Sequence, residues 1–344
     1  MFEKEILAKI FKAHKNTLTS LVSLQDSLNA RFYGLEQTIE CMMLSAITGE
    51  AMLMLGPPGT AKSRLTRTFC QLVGLLPNSD RTDASAQGDD RYFEYLLTQF
   101  TEPSELFGYF DLGKLMGDAK ALVRDDEGMM QKAEVVFLDE VFNASSAILN
   151  ALLTFMNERK FHDRGMVHPV PLQILFAASN HPPREEGLGA VYDRFVLRSR
   201  IENVASDQES ISGLLETAWT ETHGRGGEEE ASFAGLLPSL TAYRETVDEM
   251  TLDGRLSIQQ TDPIFARLAD LVTEVRRKGL SEMSNRRLVK LSAVVLGNAL
   301  LRHARNPGKA LAIEPVDLTV LLKFGLDTED ESTVSKLTSH LLGT

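Results

Sequence analysis

Residues 51–63 constrain this chain more than any other stretch. An apolar run, Ala51 to Leu55, stops at Gly56, and a helical pattern restarts near Ala61. Between them stand Gly56, Pro57, Pro58, Gly59 and Thr60, followed by Ala61, Lys62 and Ser63. A buried strand, a Gly-rich turn and a helix N-terminus in that order form an anion site, because loop N–H groups and the helix dipole converge on one spot. The expected ligands are ATP and Mg2+, with the Lys62 ammonium near the β- and γ-phosphates and the Ser63 hydroxyl on the metal. One position departs from the usual phosphate-loop pattern: the residue before the lysine is Ala61 instead of Gly. Alanine takes positive φ only at a cost but is the best helix former, so Ala61 fits if it already has helical φ and ψ. An ordinary Pro-Gly turn between strand and helix is the competing reading, and the rest of the chain has to decide.

The second signal is Val135, Val136, Phe137 and Leu138, ending in Asp139 and Glu140. Four apolar residues predict a strand buried on both faces, delivering two carboxylates at its C-terminal end, where α/β sheets place ligands. Asp139 suits the Mg2+ shell, and Glu140 suits orienting and deprotonating an attacking water. The upstream phosphate loop argues against the bland alternative, a solvated acidic turn. A third apolar run, Leu172 to Ser179, predicts another buried strand. It ends in Asn180, a neutral group able to hydrogen-bond water or a terminal phosphate.

Ahead of the loop, residues 4–29 carry apolar positions at helical spacing and predict two packing helices, broken near Asn16 and Thr17. Phe32, Tyr33, Gly34 and Leu35 interrupt the pattern, and a helix follows from Glu36 to about Thr48, ended by Gly49. Tyr33, Gly34 and Leu35 are candidates to cradle a nucleotide base, with core packing as the blander reading. Behind the loop come a helix over 64–76, a polar loop over 77–90, a strand over 92–97 and a short helix in 101–108. Residues 109–133, with several glycines and an acidic patch at Asp125, Asp126 and Glu127, predict an insertion projecting from the core. Ser145 is expected to cap a helix through Met156, and 157–172 alternates like a hairpin. Val191 to Arg198 is an apolar element studded with Arg194 and Arg198, with Arg200 just beyond. Past Glu202 only helical patterns remain, near 206–219, 232–250, 263–278, 284–305, 315–325 and 330–342.

At 344 residues the chain has room for two domains. A net charge of −12 weakens the reading as a nucleic-acid motor, which would more often carry a basic stripe. No apolar run reaches the length of a membrane span. The first residues lack the basic start and apolar core of a signal peptide. Cys41 and Cys70 lie in apolar helical patterns and match no metal spacing, so a reducing cytoplasm is expected.

Together these pieces resemble the MoxR family of AAA+ ATPases, most closely its RavA branch. The matching stretches are Gly56 to Ser63, Phe93 to Thr98, Thr101 to Gly108, Val135 to Glu140, Ile148 to Leu153, Asn157 to Arg159, Ala177 to Asn180 and Tyr192 to Phe195. They span about residues 30–200, and the tail matches more loosely through Ser284 to Arg287. Ala61, odd for phosphate loops at large, is ordinary in that family.

The resemblance implies an α/β fold, an AAA+ P-loop parallel-sheet αβα core followed by an all-α lid domain. Its divisions would be N-terminal helices over 1–30 packing on the core, a nucleotide-binding core over 31–203, a linker over 204–230 and a helical lid over 231–344. It makes the region near 109–133 a helix-2 insert and that near 159–172 a pre-sensor-1 hairpin. It implies a hexameric ring with nucleotide at subunit interfaces, Asn180 as sensor 1, and Arg194 as an arginine finger entering the neighbour's site. An ion pair of Arg194 with Asp193 or Glu202 is the alternative, and Arg198 and Arg200 are weaker rivals for the finger. Arg286 would be the sensor-2 group, favoured slightly over Arg287 because it follows the capping Ser284. RavA chains carry a further region after the lid; this sequence runs to Thr344, so no partner that docks on that region is carried over.

Two functions stay open at this point. The first is ATP hydrolysis, ATP and water to ADP and phosphate, spent on remodelling or activating a client protein or metal centre. MoxR proteins typically do so with a von Willebrand factor A domain protein, here a separate chain. The second is a nucleotide-gated assembly scaffold or switch with slow, incidental turnover. The complete set of Asp139, Glu140, Asn180 and Arg194 favours hydrolysis, since a scaffold needs no catalytic glutamate.

Overall fold

The structure, a computed structural model, describes residues 1–76, 91–111, 113, 116, 123–163, 165–183, 186–223, 232–308, 310–328 and 330–343. The polar loop expected over 77–90, much of the middle of the expected insert and the end of the expected linker lie outside the described residues. Seven strands are labelled in chain order: β1 (Met52–Leu55), β2 (Tyr92–Leu96), β3 (Val135–Asp139), β4 (Lys160–Asp163), β5 (Met166–Pro169), β6 (Ile174–Ser179) and β7 (Leu197–Arg200). Five of them form one sheet in the order β2-β3-β6-β1-β7. β3 pairs in parallel with β2, Leu96 opposite Asp139, and in parallel with β6, Leu138 opposite Ala177. Val135 to Leu138 and all of β1 and β6 are buried, as continuous apolar strands covered on both faces must be. The architecture is the expected α/β class: a parallel-sheet core and a helical region. The strand order sets β1, β6 and β3 side by side, so the segments that follow them emerge together.

The chain divides into two compact units, Leu53–Phe195 with Arg200–Ala234, and Met1–Met52 with Val196–Ser199 and Gly235–Thr344. In the second unit, α1 (Lys4–Ala13), α2 (Lys15–Asn29) and α3 (Glu36–Thr48) pack with later helices, including Leu236–Leu252 and Asn285–Arg305. A Cβ at Gly297 would lie 3.1 Å from Ile47 Cγ2, which marks how closely the long helix approaches α3. The break between the first two helices falls at His14, not near Asn16 and Thr17. Its imidazole Nε2 pairs with Thr246 Oγ1 at 2.9 Å, a long-range contact that local periodicity does not encode. α3 ends as expected at Gly49, with φ 70. Past β7, helices at Gln208–His223, Leu236–Leu252, Pro263–Arg277, Asn285–Arg305, Thr319–Phe324 and Glu331–Leu342 follow the expected helical pattern. No helix among the described residues is long and apolar enough to cross a membrane.

A buried carboxylate clasps this helical unit. Asp317 accepts from Arg302 Nε at 2.8 Å and Nη2 at 2.9 Å, from Asn298 Nδ2 at 3.2 Å and from the Glu314 N–H at 2.7 Å. Arg302→Met leaves that carboxylate buried without its counter-charge, and should cost about 3–5 kcal/mol of stability. Urea unfolding followed by helical circular dichroism checks this; an unshifted midpoint would show that the pair carries no such load.

In the sheet unit, β4 and β5 form the expected hairpin, Phe161 opposite His168, with Gly165 at φ 79 in the turn. The region after Val191 splits in two, the helix Gly189–Arg194 and then β7. Gly108 and Asp125, which bracket most of the region expected as an insert, lie close to each other. A Cβ at Gly108 would lie 1.8 Å from the Asp125 carbonyl oxygen, so only glycine fits there. Arg124 donates through Nε to Asp163 of β4 at 3.1 Å and through Nη1 to the Gly108 carbonyl at 2.8 Å. Its guanidinium also stands 4.2 Å from the Phe110 ring centre. One arginine thus ties Gly108 to the β4–β5 hairpin, two places far apart in the chain.

Candidate nucleotide-binding site

β1 runs into the loop 56–61, and α4 (Lys62–Leu72) begins at the lysine. The helix starts two residues earlier and ends four earlier than the expected 64–76. A Cβ at Gly56 would lie 2.3 Å from the Ile201 carbonyl oxygen, so the loop leaves the strand where another backbone presses against it. Gly59 turns the loop with φ 84. Ala61 is the correction: it has φ 61 and ψ 19, left-handed and not helical. Its carbonyl already accepts the first helical bond, from Leu65 N–H at 2.8 Å, so the reversal is completed at this residue. Alanine there costs about 1–2 kcal/mol relative to an ordinary conformation. Ala61→Gly should therefore raise stability by about 0.5–1 kcal/mol, after subtracting the extra freedom glycine gains when unfolded. Thermal unfolding of the two proteins side by side tests this; a lower midpoint for the glycine variant would contradict it.

The Lys62 ammonium folds back over the loop. Nζ donates to the carbonyls of Gly56 at 2.6 Å and Pro57 at 2.9 Å, while Thr60 Oγ1 donates to Pro57 at 2.9 Å. Burial pulls the Lys62 pKa down, and the negative charges of Asp139 and Glu140 pull it back up. Ser63 Oγ donates to Asp139 Oδ2 at 3.2 Å, so the hydroxyl and the carboxylate picked out for a metal stand together. Hard oxygen donors of this kind suit Mg2+.

Glu140 also sits in the left-handed region, φ 53, directly after β3. Its N–H donates to Asp139 Oδ1 at 2.9 Å, and its carbonyl accepts from Asn143 N–H at 2.9 Å. Strained residues of this sort persist where surrounding contacts over-determine them. Asn180, at the end of β6, donates through Nδ2 to Glu140 Oε1. Gly56 N–H donates to the Ser179 carbonyl at 3.2 Å, which sets the phosphate loop beside Asn180. Glu140, Asn143, Asn180 and His181 line a cavity of about 420 Å³, walled by Phe142, Pro182, Pro183 and Leu188. Asn143 and the positive φ of Glu140 were not read from the sequence, where only Asn143's position three residues past the glutamate gave any signal.

Arg194 closes its short helix with Nη1 3.7 Å from Asp193 Oδ2. Arg198 is buried and pairs with Asp327, which also takes Arg287 Nη1 at 2.8 Å. Of the two sensor-2 candidates, Arg287 is thus buried on an aspartate, while Arg286 is exposed. Tyr33 is half-buried, and Gly34, with φ 74, donates its N–H to Glu36 Oε1 at 3.2 Å. Tyr33, Gly34 and Arg286 belong to the helical unit, the phosphate loop to the sheet unit.

A parallel sheet that brings a phosphate loop, an Asp-Glu strand end and a strand-end asparagine together defines the AAA+ class. Within it the chain belongs to the MoxR family: residues 19–237 match the MoxR domain of the MoxR-vWA-beta-propeller ternary systems. It is 37% identical over 196 residues to the uncharacterized protein MJ0812 of Methanocaldococcus jannaschii, covering 57% of this chain and 48% of that one. It is 23% identical over 180 residues to the chaperone MoxR1 of Mycobacterium tuberculosis, covering 51% of this chain and 42% of that one. Its fold is similar to the crystal structure of an inferred ATPase from Cytophaga hutchinsonii, with TM-score 0.64 and 16% identity over 98% of this chain and 97% of that one. The chain spans about half the length of the curated relatives it matches.

Proposed function

We propose that this chain binds ATP with Mg2+ and hydrolyses it, as one subunit of a ring, to remodel or activate a client protein or metal centre. One observation carries the reading: Ser63 Oγ and Asp139 Oδ2 meet at 3.2 Å, with Lys62 on the same loop and Glu140 the next residue. Lys62 and the N–H groups of Gly59 to Ser63 would hold the phosphates; Ser63 and Asp139 would hold the metal. The metal would offset negative charge on the phosphoryl oxygens. Glu140 would take a proton from the attacking water, and Asn180 would orient that water or the terminal phosphate. Asn180 now contacts Glu140, so it would have to let the carboxylate go as the water binds. Arg194 would act in the neighbouring subunit's site. Tyr33, Gly34 and Arg286 are proposed at the base and phosphate ends of the nucleotide.

The family is described from ternary systems with a von Willebrand factor A protein and a β-propeller protein, which makes such chains the first partners to test. The RavA likeness rests on motif order alone. A cytoplasmic location agrees with two buried free cysteines, Cys41 and Cys70.

Lys62→Ala tests the site. It removes the charge-assisted bonds to phosphate, each worth about 1.5–3 kcal/mol, so ATP affinity should fall about tenfold to a hundredfold. Titration with a fluorescent ATP analogue reads this directly, and unchanged affinity would sink the phosphate-loop assignment.

A further inference from the structure

We propose that Asn143 is a positioning residue that aims the Glu140 carboxylate; this rests on reading Glu140 as the base. The carboxylate has two oxygens and an amide stands at each. Oε1 accepts from Asn180 Nδ2, and Oε2 accepts from Asn143 Nδ2 at 3.4 Å. The second contact is long, as catalytic hydrogen bonds often are before the substrate draws the site together. Three features build Asn143 into the site. Its backbone N–H closes the turn on the Glu140 carbonyl at 2.9 Å. Its side chain lines the same cavity as Glu140 and Asn180. Phe142, between it and Val141, packs edge-on against Tyr192 at 6.0 Å and Phe195 at 6.3 Å, which anchors the turn.

The two amides have different work. Asn180 ends the strand beside the phosphate loop, and its donor turns toward water or phosphate when substrate is present. Asn143 stays on the glutamate's own turn and keeps Oε2, leaving Oε1 to face the water. The water's proton then passes to Oε1, its oxygen bonds to the terminal phosphorus, and the bond from phosphorus to the bridging oxygen breaks to release ADP. A carboxylate without that second hold rotates about its side-chain bonds, and misaimed groups of this kind cost up to about a hundredfold in rate.

The test uses the full chain under assembled conditions, with ATP turnover measured against ATP concentration and nucleotide affinity measured alongside. Asn143→Asp keeps the size and removes the donor; Asn143 is exposed, so the core is untouched. We expect kcat to fall about tenfold to a hundredfold while KM and affinity hold. Asn143→Gln, which retains the amide, should recover part of the loss. In a Glu140→Gln background, Asn143→Asp should add nothing, because a residue acting through the carboxylate has no role once that carboxylate is gone. Wild-type kcat for Asn143→Asp, or a loss that adds in full to that of Glu140→Gln, would overturn the proposal. Normal turnover by Glu140→Gln alone would instead overturn the reading of the base beneath it.

Discussion

Glu140→Gln should bind ATP as well as the parent and lose about a hundredfold to ten-thousandfold in turnover, the usual worth of a general base. The substitution is nearly isosteric, and the site should survive it. A glutamine oxygen still accepts from Asn180 Nδ2, and φ 53 costs a glutamine no more than a glutamate. Ser63 and Asp139 keep their 3.2 Å contact, so the metal donors are untouched. What disappears is a group able to take a proton. Phosphate release read beside nucleotide affinity separates the outcomes: turnover at the parent rate removes Glu140 as the base. The same variant, held in ATP, should retain partner and client, which makes it the bait for both.

Arg194→Ala should leave ATP affinity of isolated subunits intact and reduce assembled turnover about a thousandfold or more, the range measured for arginine fingers. Within its own subunit the guanidinium Nη1 stands 3.7 Å from Asp193 Oδ2. Mixing sharpens the test. Arg194→Ala subunits keep Glu140, and Glu140→Gln subunits keep Arg194. If the finger acts across the interface, random mixing at equal amounts rebuilds about a quarter of the sites, because a head-to-tail interface pairs one subunit's base with the next subunit's finger. Mixtures that stay as inactive as either variant would place Arg194's function inside its own subunit.

Much of the sheet unit was legible because its signals are local. Val135 to Leu138 is an unbroken apolar run, and a run of that length can only be a buried element; β3 occupies it. Gly49 follows a helical pattern and stops α3 in the left-handed region, where glycine carries no penalty. Ser145 was expected as a helix cap, and its hydroxyl accepts from the Ile148 N–H. Ala61 went the other way for a reason that is also physical. Helix propensity argued for a helical alanine, but the loop must reverse at that residue to enter α4, and closure outweighs propensity by making Ala61 adopt φ 61.

By itself the sequence determined the strand, loop and helix around Lys62, the acidic end of β3, the asparagine after β6 and the helical grammar past Glu202. Each of these is written in residues that are neighbours in the chain. Only the tertiary structure decided the left-handed backbone at Ala61 and Glu140, the two amides on one carboxylate, and the arginine that joins Gly108 to the hairpin. Those depend on pairs such as Asn180 with Glu140 and Arg124 with Asp163, about forty residues apart; the first pair meets because the sheet order sets β3 and β6 side by side.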